Sequence, residues 1–233
     1  MVLKAVLFDF NGVIINDESI HRELLDELLL AENLPPQGQQ FLQISVGRSD
    51  RACLSELLKL RGRFVTDEYL DKLVAKKAIT YRHRLEQLTS LPVYPEVVQF
   101  IDKLHVSGYK LAVVTGAIRS EVELVLKQCE IDRFFETVVT GDDITQSKPD
   151  PEGYLLAVDR LNQLNPDLNL LPSECLAIED TFAGIQSAKS AGIQVVAIAH
   201  TYPFHMLQRQ ANWTIDSFAD LELDRVSEYF NSL

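Results

Sequence analysis

Four short segments carry residue types that can do chemistry: Phe8-Asp9-Phe10-Asn11-Gly12-Val13, Val113-Val114-Thr115-Gly116-Ala117, Ser147-Lys148-Pro149-Asp150-Pro151, and Ile178-Glu179-Asp180 running on to Ile185. Glu179-Asp180 offers carboxylates to a hard cation such as Mg²⁺, which takes oxygen ligands and keeps waters for a substrate. Thr115, with the backbone N–H groups of a helix start behind it, suits a phosphate. Lys148 would set a positive charge beside those carboxylates and that phosphate. Each segment also has a plain structural reading. Asn-Gly between apolar runs favours a tight turn. Thr115 can cap a helix, Lys148 can be a solvated side chain in a proline-stiffened loop, and an acidic pair is favoured at a helix start by the macrodipole. A calcium loop is excluded at the first segment, because Val13 stands where such a loop needs a ligand.

The elements that must position these groups are legible in the apolar pattern. Val2 to Phe8 reads as a strand buried on both faces. Asp17 to Asn33 has helical periodicity through Ile20, Leu24, Leu25, Leu28 and Leu29, and Leu34-Pro35-Pro36 breaks it. Helices are expected near Asp50–Arg61 and Thr66–Leu88, with no convincing strand before Leu91. Beyond Pro92 and Pro95, strand-like runs at Leu111–Val114, Thr137–Thr140, Cys175–Ile178 and Val195–Ile198 alternate with helical stretches. Those stretches lie at about Val97–His105, Arg119–Gln128, Pro151–Leu164 and Ala183–Ala191. Alternation of this kind predicts a parallel, doubly wound sheet. Ligands bind such sheets beyond the carboxyl ends of the strands, which is where Asp9, Thr115-Gly116, Lys148 and Glu179-Asp180 fall.

Bulk properties narrow the partners. The chain has 233 residues, 46% of them hydrophobic, enough for a sizeable core. Its net charge of −12 disfavours nucleic acid and anionic membranes as main partners. Cys53, Cys129 and Cys175 are widely spaced and odd in number, which predicts a reducing compartment. With no apolar run of spanning length and no leader pattern at the start, a soluble, cytoplasmic protein is expected.

In this order and spacing, the four segments resemble the motif set of the haloacid dehalogenase superfamily, from Val2 to about Leu221. Glu179 to Gly192 is similar to the β-phosphoglucomutase-like branch. Gly47-Arg48-Ser49-Asp50 resembles the substrate-facing cap turn of that branch, Lys77 and Tyr81 match a lysine-to-tyrosine spacing in its cap, and His21 matches a histidine after its first motif. The resemblance implies an α/β fold: a Rossmann-like, doubly wound parallel core over residues 1–15 and 91–233, with an inserted α-helical cap over residues 16–90. It implies that Asp9 attacks phosphorus to form an aspartyl-phosphate that water then hydrolyses, a covalent catalysis. Mg²⁺ would be held by Asp9, the backbone carbonyl of Asn11 and Asp180, with Glu179 close by. Thr115 and the N–H of Gly116 or Ala117 would bind phosphate oxygens, and Lys148 would pair with phosphate and carboxylates. His21, Arg48 and Lys77 would meet the substrate, a small phosphorylated metabolite, and a monomer is the default.

Asn11 departs from that pattern. The resembled phosphatases and mutases carry aspartate there, as general acid toward the leaving group and then general base toward water. An amide has no proton to trade at neutral pH, and losing such help costs about 10²–10⁴-fold in rate. Three readings stay open: natural slow or substituted chemistry, an engineered change, or loss of catalysis. Carbon–halogen chemistry ranks low, because it needs no metal and Glu179-Asp180 looks like a metal site. A sugar-phosphate phosphatase is the expected function. A phosphomutase, or a non-catalytic metal- and phosphate-binding relic, are its alternatives.

Overall fold

The computed structural model describes residues 2–38 and 41–232. Its centre is a six-stranded parallel sheet in the order β3-β2-β1-β4-β5-β6. The strands are β1 (Ala5–Phe8), β2 (Lys110–Val114), β3 (Thr137–Val139), β4 (Cys175–Glu179), β5 (Gln194–Ile198) and β6 (Trp213–Ile215). The helices are α1 (Glu18–Ala31), α2 (Phe41–Ile44), α3 (Asp50–Leu60), α4 (Asp67–Glu86), α5 (Val97–Val106), α6 (Arg119–Gln128), α7 (Glu152–Leu164), α8 (Phe182–Ser190), α9 (Phe204–Leu207) and α10 (Leu223–Ser232).

Alternation in β1 explains why the sheet is covered on both sides. Val6 and Phe8 belong to a core with Phe100 of α5, Val122 of α6 and Phe230 of α10. Ala5 and Leu7 belong to another with Tyr154 of α7 and Ile185 of α8. A strand apolar on both faces can only be satisfied by helices above and below it. From β1 the chain builds outward through β2 to β3, then returns to β4 on the other side of β1. The switch point of the topology therefore lies between β1 and β4, where a doubly wound sheet opens its crevice.

Helices α1 to α4 form a block with an apolar cluster of their own, among them Leu28 and Leu29, Leu54, Leu57 and Leu58, and Leu70 and Leu73. The other side of the block, Leu24, Tyr81 and Leu85, turns to the large core that includes Phe8. The two chain crossings between block and sheet lie side by side: Asn16 N–H donates to Pro92 O at 2.7 Å and Tyr94 N–H to Ile14 O at 3.1 Å.

The sheet core holds three elements that the apolar pattern left unmarked: β6, α9 and α10. β6 is three residues long and α9 four, too short to show a period. β4 runs one residue further than expected, so Glu179 is the last strand residue and Asp180 the first beyond it. No helix of the described residues is long and apolar enough to cross a membrane.

Candidate active site

Register brings the candidate residues together. Phe8 pairs with Val113 on one side and Ile178 on the other. Asp9, Thr115 and Glu179-Asp180 consequently emerge from adjacent strands at one edge of the sheet. Asp9 N–H donates to Ile178 O at 3.0 Å and Thr115 N–H to Val139 O at 3.0 Å, which fixes both backbones by the ladder itself. Lys148 arrives from the loop after β3, only 5% exposed. Its ammonium lies 2.9 Å from Asp9 Oδ1 and 2.6 Å from Glu179 Oε1, and donates to Val114 O at 3.1 Å.

The plain readings of the motifs are partly true and incomplete. Asn11-Gly12 does form a turn, with Gly12 N–H donating to Ile15 O at 2.8 Å, yet it leads into α1 and not into a hairpin. Gly12 has φ +77°, and a Cβ there would lie 1.9 Å from Asp180 Oδ2, so glycine lets the turn lie against the acidic pair. Thr115 does not cap a helix. Ile118 holds that place for α6, while Thr115 Oγ1 accepts from the Ala117 N–H at 3.0 Å. A Cβ on Gly116 would come within 2.8 Å of Ser49 N, because the Arg48-Ser49 turn of the helical block rests on it. Neither Glu179 nor Asp180 caps α8 either: Thr181 does, accepting from Gly184 N–H at 3.1 Å.

One ligand oxygen from each of Asp9, Glu179 and Asp180 lies within 4.8 Å of the others. All three residues are buried, and among the described residues the Lys148 ammonium alone is ion-paired with them. Tyr154 donates to Glu179 Oε1 at 2.6 Å and Thr201 donates to Asp180 Oδ2, but Glu179 Oε2 and Asp180 Oδ1 are buried without a partner among the described residues. Orphaned buried oxygens are rare in folded proteins, and a hard cation would satisfy them. Burial, and then the Asp9 carboxylate, push Glu179 up to about 7. Burial, Asp9 and Glu179 push Asp180 well above the carboxylate range. Burial opposes the Lys148 charge, yet Asp9 and Glu179 outweigh it and hold the ammonium above its ordinary value.

The helical block completes a cavity of about 40 Å³ lined by Asp9, Asn11, Glu18, His21, Arg48 and Gly116, among others. Arg48 pairs with Glu56 and donates to Ile44 O at 3.3 Å, leaving its Nε buried and without a partner among the described residues. Lys77 is fully buried, 2.5 Å from Asp50, 2.6 Å from His21 Nδ1 and 3.8 Å from Glu121 of α6. Burial opposes its charge, but Asp50 and Glu121 keep Lys77 above the usual lysine value. Of the sequence-predicted groups, Asp9, Asn11, Gly116, Ala117, His21 and Arg48 line this one cavity. Lys148, Glu179 and Asp180 join it through Asp9, whereas Lys77 stands behind His21. Missed from the sequence were Asp17, Glu18, Glu121, Tyr154 and Thr201. The acidic pair Asp17-Glu18 just ahead of the helical period of α1 was the available signal.

Asn11 is held away from any proton trade. Its Nδ2 donates to Asp17 Oδ1 at 3.1 Å and Oδ2 at 2.9 Å, and Tyr81 and His21 also bind that carboxylate. Asn11→Asp would put a second carboxylate against the fully buried Asp17. Like charges at this range raise the shared folded-state pKa. The cost is then absent at acid pH, where the pair is protonated folded and unfolded, and grows as pH rises through the raised value. The expected loss is about 1–3 kcal/mol near pH 8 and little near pH 4, read from paired thermal melts. Equal melting temperatures at every pH would contradict it.

An aspartate, a hydroxyl, an ammonium and two further carboxylates meet at the switch point of a doubly wound sheet, where such folds bind their ligands. Residues 3–192 match the model of the haloacid dehalogenase-like hydrolases, and the chain belongs to that enzyme family. It is 29% identical to the protein CbbY of Rhodobacter capsulatus, over 98% of this chain and 99% of that one. It is 26% identical to the phosphorylated carbohydrates phosphatase of Thermotoga maritima, over 85% of this chain and 87% of that one. The structure of β-phosphoglucomutase from Clostridium difficile superposes with a TM-score of 0.84 and 21% identity, over 100% of this chain and 98% of that one, a likeness of fold.

Proposed function

We propose that the chain is a Mg²⁺-dependent phosphatase of small phosphorylated metabolites, sugar phosphates foremost, working through an aspartyl-phosphate on Asp9. The observation that carries this is the buried meeting of Asp9, Lys148 and the partnerless oxygens of Glu179 and Asp180 at the switch point. Asp9, Asp180 and the Asn11 carbonyl would hold the ion, with Glu179 beside them. When bound, Mg²⁺ offsets the repulsion between carboxylates and phosphate and steadies the charge of the transferring group. The rest is the work of the side chains. Asp9 attacks phosphorus, Lys148 balances charge on the phosphoryl oxygens, and Thr115 with the Gly116 N–H orients them. The relative named for phosphorylated carbohydrates supports the substrate class.

Residues 16–90 act as a cap in this reading, and the paired crossings at Asn16–Pro92 and Ile14–Tyr94 are its hinge. A cavity of about 40 Å³ holds no more than a few waters, so the cap must swing for a sugar phosphate to enter. Arg48 and His21, which line the cavity, would meet the substrate from that side, with Lys77 holding His21 in place. A phosphomutase is the second reading, favoured by Asn11, since a site without a base at position 11 would keep its phosphoenzyme longer.

The test is phosphate release from a panel of sugar phosphates, an aryl phosphate and acetyl phosphate, with and without Mg²⁺. Release that requires Mg²⁺ and includes sugar phosphates is expected. No release from any member, with or without the metal, would remove the phosphatase reading and bring the mutase forward.

A further inference from the structure

The mechanism above leaves the leaving-group proton without a carrier. Candidates are the ionisable side chains lining the cavity with Asp9. Asn11 is an amide and carries no exchangeable charge at neutral pH. His21 has both ring nitrogens engaged, Nε2 by Asp17 at 3.0 Å and Nδ1 by Lys77 at 2.6 Å. Asp50 is ion-paired with Lys77. The Cys53 thiol, lying against the Ile44 and Ser45 carbonyls, is pushed up to about 12 by burial and Asp50. Arg48 is paired with Glu56, and Glu18 is the remaining group. It lines the same cavity, is partly buried, and among the described residues its carboxylate has neither a hydrogen bond nor an ion pair.

Local structure puts it there. Asp17 occupies the N-cap position of α1 without capping it, because its carboxylate is turned inward to Asn11, His21 and Tyr81. The next residue, Glu18, then falls on the cavity wall. The charged and titratable groups around Glu18 are Asp9 after β1, Asp17, His21 and Arg22 on or beside the first turns of α1, Arg48 and Asp50 across the cavity, Lys77 on α4, Asp180 after β4, Tyr94 and Tyr202. Burial, opposed by His21 and reinforced by Asp17 and Asp9, pushes its carboxyl up to about 7. Both protonation states are thus available near neutrality, as acid–base work requires.

We propose that Glu18 is the acid–base residue of this chain, doing from the first turn of α1 what an aspartate at position 11 does in the enzymes it resembles. The proposal rests on the phosphatase reading. In the first step an Asp9 oxygen bonds to phosphorus, the bond from phosphorus to the leaving oxygen breaks, and that oxygen takes the Glu18 proton. In the second step water bonds to phosphorus, its proton passes to the Glu18 carboxylate, and the bond from phosphorus to Asp9 breaks. Phosphate leaves, and both carboxyl groups return to their starting states.

Glu18→Gln keeps the shape and removes the transferable proton. With a sugar phosphate, kcat/KM should fall about 10²-fold or more, and its pH profile should lose the alkaline limb. With an aryl phosphate, whose phenolate leaves without a proton, the first-turnover burst should persist while the steady state slows and phosphoenzyme accumulates. Stabilisation by Mg²⁺ with fluoroberyllate should match the wild type, showing an intact site. Rates within about threefold of wild type on both substrates, alkaline limb retained, would overturn the proposal. So would joint loss of the burst and of the fluoroberyllate effect, which would make Glu18 structural. Failure of the phosphatase reading looks different: the wild-type chain would itself give no Mg²⁺-dependent burst.

Discussion

Asp9→Ala is expected to lower phosphate release by about 10⁴-fold or more, the scale seen when a covalent nucleophile is removed, while leaving the fold intact. The backbone of Asp9 is held by its N–H bond to Ile178 O, which alanine keeps. The lost carboxylate is one of three buried together, and after burial itself it is the largest influence raising both Glu179 and Asp180. Its removal relieves repulsion, and Lys148 retains Glu179 at 2.6 Å. Without added metal the variant should therefore melt no lower than the wild type. Phosphate assays beside thermal melts check both halves. A variant that keeps activity within about tenfold would place the nucleophile elsewhere.

Lys148→Met should damage both stability and turnover. The ammonium is the only positive charge against Asp9 and Glu179 among the described residues, and it is buried with them. Breaking a buried pair by removing one partner costs about 3–5 kcal/mol, because the other charge is left uncompensated. Here the orphaned Glu179 can take up a proton, which sets the pH dependence. Its folded-state pKa, already raised to about 7, would rise further above the unfolded one. A raised carboxyl costs nothing below its unfolded pKa and progressively more as pH climbs through the folded value. The deficit against wild type should thus be small near pH 5 and largest near pH 8. Added Mg²⁺ should narrow it, by replacing part of the missing charge. Turnover should fall about 10³-fold or more, as when other cations that stabilise the transferred phosphoryl group are removed. Thermal melts at the two pH values in EDTA and in Mg²⁺ read the first effect. A deficit independent of pH would mean that Lys148 acts by packing alone.

Much of this site was legible because it depends on strand ends. A parallel sheet fixes which residues leave its carboxyl edge, so Asp9, Thr115 and Glu179-Asp180 could be grouped from apolar runs alone, before any contact was visible. The doubly wound core followed from the same alternation. Helices α1, α3 and α4 were visible through their leucine spacing. What escaped belongs to contacts between remote segments. Nothing local marks Tyr154 as the donor to Glu179, or Thr201 as the donor to Asp180, since each is one polar residue in a different element. Glu121 sits on α6 and meets Lys77 of α4 only because the helical block packs across the sheet edge. Asp17 opens the helical run of α1 in the sequence; its inward turn depends on Asn11, His21 and Tyr81 all being near it. Asn11 itself was legible as a departure. Its physical consequence, an amide pinned to a buried carboxylate, needed the fold.

The most direct test of the account is acid-quenched mass spectrometry of the chain after brief mixing with Mg²⁺ and an aryl phosphate. The account predicts one added phosphoryl group, located on the peptide that contains Asp9, labile to hydroxylamine as an acyl phosphate is, and absent when Mg²⁺ is withheld. A chain that releases phosphate while no phosphoryl group is found on Asp9, or while it is found on another residue, would contradict the mechanism at its centre.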